Sequence, residues 1–464
     1  MRGRTNVTQR SYAYANGNVL PFTVATGNNI SIGDFVQYKL NSEYKNFSDS
    51  NIEFYEQYNY SGDKYALIAK NGNFDYIYLV EVSGENLTIL DFIVLDFELQ
   101  SSQKLGFYAE GNEMYFVQQS ENLNQNSNIV IKNITITNDE LVITKNYSGT
   151  FGRTTSSGSN MILLDIVKLG SNFVLFLIDI STSSGTQYPY LTEVIYSISG
   201  TSITYSDSKN YRLGITQYKE IIGFKIKSWV SNNVVYGICM YLVVYSSTSF
   251  ASWKSTTFVV ENYLFKNVQV DENRVGTNME VNPICRNDRI IIYGRGVDSS
   301  GAHGLDFNGI YIYELSNLVL SRVYEITNLP YTSLYTTYSI YCNVKSDYIL
   351  INYSFYNSST NLSGNNKVIL IKIDNGVVTR KDGELTSTIQ IGSSVCFFEN
   401  GKFYVILHTN TGDKYLIYNE DEDGLYPGEV TNYVESYNGG KTMGFAKTGG
   451  SAGDIIQVYT PINV

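Results

Sequence analysis

The chain of 464 residues is poor in the residue types on which most catalytic and metal sites depend. It contains two histidines and four cysteines. Neither His303 nor His408 belongs to an HExxH or GxSxG pattern, and no two cysteines form a CxxC pair. These absences argue against a zinc site, a disulfide framework and a serine-hydrolase motif. We therefore predict that the protein is not an enzyme, has no catalytic residues, and uses no metal or other cofactor.

Long apolar runs are also missing. The most apolar stretch, residues 161–180, is interrupted by Asp165, Lys168 and Gly170, so it is interpreted as two strands joined by a turn. The first 20 residues contain no apolar segment of the kind found in secretory signals. The sequence therefore predicts a protein that is made in the cytoplasm and does not enter a membrane.

Positive charge is scarce as well. The chain has 33 Lys and Arg against 44 Asp and Glu, which gives a net charge of −11. An acidic surface repels phosphate backbones, so nucleic acid is not an expected partner. The four cysteines, Cys239, Cys285, Cys342 and Cys396, are interpreted as buried free thiols that pack as small apolar side chains.

Strand-forming residues are abundant. The chain has 41 tyrosines and 22 phenylalanines, and Tyr, Phe, Ile, Val and Thr all favour β-strands. No stretch repeats its apolar residues with the 3.6-residue period of a helix. The sequence therefore predicts an all-β protein.

A turn between two apolar strands recurs seven times along the chain. From Gly72 to Asn400 the spacing is about 55 residues per repeat, the size of a four-stranded propeller blade with long loops. A second turn signal follows in each repeat and is weakest in the fourth, at Lys266-Asn267. We predict a β-propeller of about seven four-stranded blades. Six or eight blades, or a stack of β-sandwich domains, remain alternatives. The first turns of the repeats are residues 70–73, 110–112, 170–172, 231–233, 286–288, 345–347 and 400–402.

The two ends of the chain differ from the repeats. Residues 19–36 and residues 442–459 have strand-like patterns, but each segment is too short to fold alone. Together they supply four or five strands. We predict a small β-barrel split between residues 1–48 and 432–464, with the β-propeller at 49–431 inserted in it.

The two ends also carry a resemblance. The segments Gly33-Asp34-Phe35-Val36 and Gly444 through Val458 resemble the small β-barrel decoration proteins on the heads of tailed bacteriophages. The resemblance covers the two ends and none of the repeats. It implies that the barrel docks on a virus particle. The particle-docking residues that it implies are Gly33, Asp34, Phe35, Gly444, Ala446, Gly453 and Asp454.

Exposed aromatic side chains are the best candidates for sugar binding, because a flat ring stacks on a pyranose while a hydroxyl group forms hydrogen bonds. Five aromatic residues lie in segments that we interpret as loops. These candidate glycan-binding residues are Tyr188, Tyr190, Trp253, Tyr331 and Tyr335.

These observations predict a bacteriophage virion structural protein that decorates the particle surface. It would be assembled in the host cytoplasm, with other capsid or tail proteins as partners. Its barrel would dock on the capsid or tail, and its propeller would project outward and bind host cell-surface glycans. Multiple copies per particle would convert weak contacts into avidity. The alternatives are a receptor-binding protein (adhesin) of the tail or baseplate and, third, a glycan-cleaving enzyme on the same scaffold.

Overall fold

The structure is a computed structural model. It describes part of the chain, and all regular structure in that part is β-strand. The described residues are 19–24, 29–30, 32, 35–38, 45–48, 53–71, 74–83, 86–95, 97, 105–153, 159–183, 186–213, 220–244, 251–275, 280–286, 288–295, 308–326, 340–345, 348–353, 356–357, 362–363, 366–374, 377–385, 394–399, 402–409, 412–420, 425–427, 429–432, 442–446, 449–451 and 455–459.

Four short strands come first, and the next four form sheet 1. The first four strands are β1 (Val19–Val24), β2 (Asn29–Ile30), β3 (Phe35–Tyr38) and β4 (Lys45–Ser48). The strands of sheet 1 are β5 (Glu53–Ser61), β6 (Lys64–Asn71), β7 (Phe74–Ser83) and β8 (Asn86–Leu95).

Sheets 2, 3 and 4 follow the same plan, with four sequential strands each. Sheet 2 consists of β9 (Leu105–Glu110), β10 (Glu113–Gln118), β11 (Asn128–Thr137) and β12 (Glu140–Thr150). Sheet 3 consists of β13 (Ser159–Leu169), β14 (Asn172–Ser183), β15 (Thr186–Ser199) and β16 (Ser202–Arg212). Sheet 4 consists of β17 (Glu220–Ser231), β18 (Val234–Val244), β19 (Ala251–Glu261) and β20 (Leu264–Val275).

Sheets 5, 6 and 7 repeat the plan with small additions. Sheet 5 consists of β21 (Glu280–Arg286), β22 (Arg289–Arg295), β23 (Asn308–Ser316) and β24 (Val319–Ile326). Sheet 6 consists of β25 (Ile340–Lys345), β26 (Tyr348–Tyr353), β29 (Asn366–Asp374) and β30 (Val377–Leu385), with the ribbon β27 (Tyr356–Asn357) and β28 (Leu362–Ser363) between β26 and β29. Sheet 7 consists of β31 (Ser394–Glu399), β32 (Lys402–Thr409), β33 (Gly412–Glu420) and β34 (Leu425–Pro427), and β4 pairs with β33.

The last strands return to the first ones. They are β35 (Glu429–Asn432), β36 (Thr442–Ala446), β37 (Gly450–Ser451) and β38 (Ile455–Tyr459). A closed barrel forms in the order β1-β35-β3-β36-β38, and β2 pairs with β37. The pairing of β1 with β38 is antiparallel and runs from Val19 opposite Tyr459 to Thr23 opposite Ile455. Both ends of the chain therefore share one small barrel.

The predicted fold class is confirmed by these sheets. The protein is all-β, with a β-propeller fold and a small barrel built from both ends of the chain. Within the described residues seven groups of four strands follow one another. A parallel pairing of β12 with β16 joins sheets 2 and 3 into one eight-stranded sheet, and β4 is a fifth strand of sheet 7. First strands contact one another where β9 meets β13 and β13 meets β17. First strands that meet in this way are the inner strands of propeller blades.

Some turns lie where the sequence predicted them, and others lie at different residues. Tight two-residue turns place Asn232 and Asn233 at φ values of 48° and 63°, the left-handed conformation that such hairpins require. In sheet 1 the first turn is at Gly62, at a φ of 51°, and Lys70 and Asn71 of the predicted turn 70–73 are the last residues of the second strand. In sheet 4 the predicted turn at Lys266-Asn267 is wrong. Asn262 and Tyr263 form it instead, and a tyrosine at positive φ is not a turn signal.

Two compact units contain these sheets. One unit consists of Met1–Tyr55, Glu81–Ile89 and Ser333–Val464, and it contains the barrel with sheets 6 and 7. The other consists of Glu56–Val80 and Leu90–Thr332, and it contains sheets 2 to 5. The predicted domain limits stay a prediction.

Aromatic contacts between consecutive sheets stabilise the second unit. The rings of Tyr115 and Phe173 join sheets 2 and 3 at 5.4 Å, and those of Phe176 and Phe258 join sheets 3 and 4 at 5.1 Å. All four side chains are buried, and each contributes roughly 1.5–3 kcal/mol through removal of apolar surface from water. Cys239 and Cys285 are buried thiols, as predicted. The side chains of Cys342 and Cys396, the other two predicted thiols, lie outside the part that the structure describes.

Candidate functional site

The predicted docking residues lie at the barrel, as far as the structure describes them. Phe35 is in β3 and pairs with Phe445, while Ala446 is in β36 and pairs with Val458. Gly444 is also in β36 and pairs with Val36. Segments from opposite ends of the sequence are thus adjacent strands. Four of the predicted docking residues lie outside the described residues, namely Gly33, Asp34, Gly453 and Asp454.

Three of the five predicted glycan-binding residues are not where the sequence placed them. Tyr188 and Tyr190 are half-buried in strand β15, and Trp253 is in strand β19, so their assignment to loops was wrong. The error arose because Ser and Thr were taken as loop signals, whereas the hairpin of β14 and β15 extends to Ser183 opposite Thr186. Tyr331 and Tyr335 lie outside the described residues. Binding of a glycan by any of these side chains stays a prediction.

A polar cluster that the sequence analysis missed lies on the inner strands. We call it the inner-strand cluster and define it as Glu56, Asp165, Lys227 and Ser228, with the aromatic side chains around them. These residues come from the first strands of sheets 1, 3 and 4. A signal was present in the sequence, because each charged residue interrupts or borders an apolar strand, as Asp165 does in the run Met161–Leu169.

Asp165 is at the centre of the cluster and is completely buried. Its Oδ1 accepts a hydrogen bond from the backbone N–H of Phe107 at 3.3 Å. Its Oδ2 accepts from both the N–H and the hydroxyl group of Ser228, each at 2.7 Å. Burial raises the pKa of Asp165 to about 6, against the opposing effects of the Lys227 charge and the hydrogen bonds. One carboxylate therefore joins strands of sheets 2, 3 and 4.

Lys227 joins the cluster to sheet 1. Its Nζ lies 2.7 Å from Oε2 of Glu56, and both side chains are largely shielded from water. The backbone carbonyl of Lys227 accepts a hydrogen bond from Sγ of Cys285, in sheet 5, at 3.2 Å. An ion pair in such a shielded place is less screened by solvent than an ordinary surface pair.

Aromatic rings surround these polar groups. The Trp229 ring lies 6.2 Å from the Tyr58 ring and 5.1 Å from the Tyr108 ring, and the Tyr58 hydroxyl donates a hydrogen bond to the carbonyl of Gly111 at 3.1 Å. Gly106 permits the close approach of β9 to β13, because a Cβ there would lie 2.8 Å from Cγ1 of Val117 and 3.0 Å from Cα of Asp165. The cluster is therefore tightly packed, and its polar groups cross-link the inner strands.

Glu193 is a second buried carboxylate, in β15 of sheet 3. Neither of its carboxylate oxygens has a hydrogen-bond partner. Its pKa is raised to about 7, chiefly by burial; the charge of Lys209 opposes this shift, and the nearby Asp207 adds to it. Unlike Asp165, Glu193 is therefore a buried carboxylate held without donors.

Among the described residues no group of three or more His, Cys, Asp or Glu side chains is arranged to hold a metal ion. The same residues include no helix with the length and apolar character needed to span a bilayer.

Comparison with known proteins gives matches to solved structures alone. No family model matches the chain, and no curated protein matches it. The Dos1 propeller is 9% identical, with 88% of this chain and 96% of that chain covered and a TM-score of 0.41. The polysaccharide lyase Uly1 is 9% identical, with 85% and 99% covered and a TM-score of 0.40. A mutant of Trypanosoma rangeli sialidase with trans-sialidase activity is 15% identical, with 72% and 56% covered and a TM-score of 0.30.

The prediction that the chain is not an enzyme is contradicted by these matches. A polysaccharide lyase and a sialidase are among the similar structures, so scarcity of histidine and cysteine was not sufficient ground for that prediction. Glycoside chemistry needs carboxylates rather than these residues. At such identities and TM-scores, the likeness assigns no particular activity to this chain.

Proposed function

We propose that the protein is a virion surface component, in which the split barrel attaches the chain to the particle and the propeller carries a carbohydrate-binding surface. The observation that carries the proposal is the pairing of β1 with β38 over five residue pairs. A barrel made from both ends of a chain can hold the whole of the intervening sequence at one attachment point. The resemblance of the two ends to phage decoration barrels supports the same role.

An exposed apolar side chain beside the predicted docking residues supports attachment through the barrel. Ile32 lies between β2 and β3 and is 75% exposed, the highest value among the large apolar side chains in the described residues. It directly precedes Gly33 and Asp34. Since a large exposed aliphatic side chain gains stability when a partner covers it, we assign Ile32 to the surface that contacts the particle.

Carbohydrate binding is the proposed task of the sheets. The richness in tyrosine supplies rings with a polar tip, which suit sugars, and the net charge of −11 disfavours polyanionic ligands. Weak binding by one copy would be sufficient, because many copies on a particle multiply the effective affinity.

A substitution in the full-length protein tests the attachment. Ile32→Ser should reduce the amount of chain that sediments with virus particles on a density gradient, whereas the wild type should sediment with them. Leu264→Ser is the matched control, because Leu264 is 49% exposed in sheet 4, far along the sequence from the barrel. We expect about a tenfold loss of bound protein for Ile32→Ser and none for Leu264→Ser.

Two outcomes of the density-gradient experiment would contradict the proposed virion role or the assignment of Ile32. If wild-type protein remains at the top of the gradient, away from particles, the virion role is wrong. If both variants remain bound like the wild type, attachment does not involve Ile32. Dissection of bound particles into heads and tails distinguishes a capsid decoration from a tail adhesin. Release of reducing sugar from a bound polysaccharide would identify a glycan-cleaving enzyme.

A further inference from the structure

Sheet 1 carries an aromatic surface on one face, which is exposed at Phe74, Phe92 and Val94, half-buried at Tyr76 and buried at Tyr78. Residues of β7 alternate between faces, so Phe74, Tyr76 and Tyr78 lie on the same side of the sheet, while Ile77 and Leu79 are buried on the other side. Phe92 of β8 is on the face with Tyr78. We call these four aromatic residues, with Val94, the sheet 1 aromatic surface.

The rings of this surface are nearly parallel. Tyr76 and Tyr78 have ring centroids 6.2 Å apart with an angle of 19° between ring planes, and Tyr78 and Phe92 have centroids 5.9 Å apart with an angle of 21°. Phe92 is 58% exposed, Phe74 48% and Val94 40%. The three rings thus form a continuous stack, and its outer member, Phe92, is in contact with water.

The outer strand β8 differs from the outer strand of sheet 4. The ten residues of β8 include one charged residue, Asp91, whereas β20 of sheet 4 contains four. Asp91 uses its Oδ2 to accept a hydrogen bond from the N–H of Leu141, in sheet 2, at 2.7 Å. Outer strands are usually protected by charge, so an aromatic outer strand whose single charged side chain is bonded to sheet 2 indicates a surface that has a ligand.

We propose that the sheet 1 aromatic surface binds the apolar face of a neutral pyranose ring, with Phe92 as the principal contact. This inference rests on the carbohydrate-binding part of the proposed function and names its site. The C–H groups of one pyranose face are attracted to the electron-rich face of an aromatic ring, and Phe92 presents such a ring to solvent. A nucleobase would also stack, but its phosphates would be repelled by a chain of net charge −11.

A second copy of the chain is a less suitable occupant. The exposed parts of Phe74, Phe92 and Val94 amount to roughly 300 Å², whereas a stable protein interface buries about 800 Å² on each partner. A sugar ring needs no more than the area of one or two aromatic side chains. The small size of the patch therefore favours a small ring ligand.

Native gel electrophoresis of the full chain, in gels containing a neutral glucan, a mannan or a galactan, tests the site. We expect the wild type to be retarded by at least one of them. Phe92→Ala should raise the dissociation constant about tenfold, and Phe92→Tyr should bind like the wild type. Tyr211→Ala is the matched control, since Tyr211 is an exposed aromatic residue on β16 whose ring is tilted by 53° from Phe265. It should bind like the wild type.

The outcomes separate this site from the proposed function. If the wild type is retarded and Phe92→Ala is retarded equally, the site is wrong and carbohydrate binding stands. If no neutral polysaccharide retards the wild type, both carbohydrate binding and the site are rejected, while attachment to particles is judged by the gradient. Gels containing alginate, an acidic polysaccharide, are run for comparison. If alginate alone retards the wild type, the ligand is not a neutral sugar. A wild-type dimer that Phe92→Ala converts to a monomer, without a change in retardation, assigns the surface to a second copy. Equal thermal midpoints show that the variants are folded.

Discussion

Asp165 in the inner-strand cluster and Glu193 in the third strand of sheet 3 are both buried carboxylates, and burial raises the pKa of each, to about 6 and about 7. Their partners differ. Asp165 accepts hydrogen bonds from two backbone N–H groups and one hydroxyl group, whereas the oxygens of Glu193 accept none. The same chemical group is therefore a cross-link between strands in one place and an uncompensated charge in the other.

This difference indicates which buried charges support the fold. Hydrogen bonds to a carboxylate replace the water that it loses, so removal of the carboxylate leaves the donors without a partner. A carboxylate without donors has lost its water and gained little in exchange. Substitution by the corresponding amide should thus have opposite effects at the two positions.

The largest expected effect is at the inner-strand cluster. Asp165→Asn should lower the free energy of unfolding at pH 8 by about 3 kcal/mol, because the amide NH₂ would face the N–H of either Phe107 or Ser228. Urea denaturation followed by intrinsic fluorescence measures this loss. Asp207→Ala is a control, since Asp207 is exposed and pairs with Lys209 at the surface; it should change stability by less than about 1 kcal/mol. A variant as stable as the wild type would show that these hydrogen bonds do not stabilise the inner strands.

The opposite effect is expected at Glu193. Glu193→Gln should raise the free energy of unfolding at pH 8 by about 2 kcal/mol, because it removes a buried charge without donors. The pKa of Glu193 is higher in the folded state than its ordinary value of 4.5. Folding is therefore favoured by this group below about pH 4.5, and that stability is lost as the pH rises through about 7.

The pH dependence supplies the control for this second prediction. The difference between Glu193→Gln and the wild type should vanish near pH 4, where the glutamate is protonated in both states. Glu140→Gln, at an exposed position in sheet 2, should be close to the wild type at every pH. A stabilisation that is equal at pH 4 and pH 8 would mean that the charge is not its cause.

The sequence predicted the repeat but not this difference between carboxylates. The positions of most turns follow from local chemistry, because Asn and Gly adopt positive φ without help from distant residues, as at Asn232 and Gly111. The barrel was also predictable, since strand-like segments at both ends had no other partner. The donors to Asp165, however, come from residues 58 and 63 positions away in the sequence. No local pattern specifies such a contact.

The sheet 1 aromatic surface was missed for a related reason. Alternation places Phe74, Tyr76 and Tyr78 on one face, but the sequence does not tell which face of a sheet is covered. The loop tyrosines that were chosen instead, Tyr188 and Tyr190, were selected by Ser and Thr neighbours, and those neighbours are strand residues here. Exposure depends on packing between sheets, and packing is set by residues far apart in the chain.

The smallest expected effect is a change in the pKa of Glu193 that tests whether nearby charges control this group. Asp207 raises the pKa of Glu193 and Lys209 lowers it, while Lys209 lies 2.6 Å from Asp207. Asp207→Asn removes the repulsive charge and frees the lysine to interact with Glu193, so the pKa of Glu193 should fall by less than about one unit. The pH at which stability declines should move down by the same amount, as measured by thermal midpoints from pH 4 to pH 9. A midpoint that moves upward would mean that hydrogen bonding, rather than charge, controls Glu193, and its contrast with Asp165 would then have another origin.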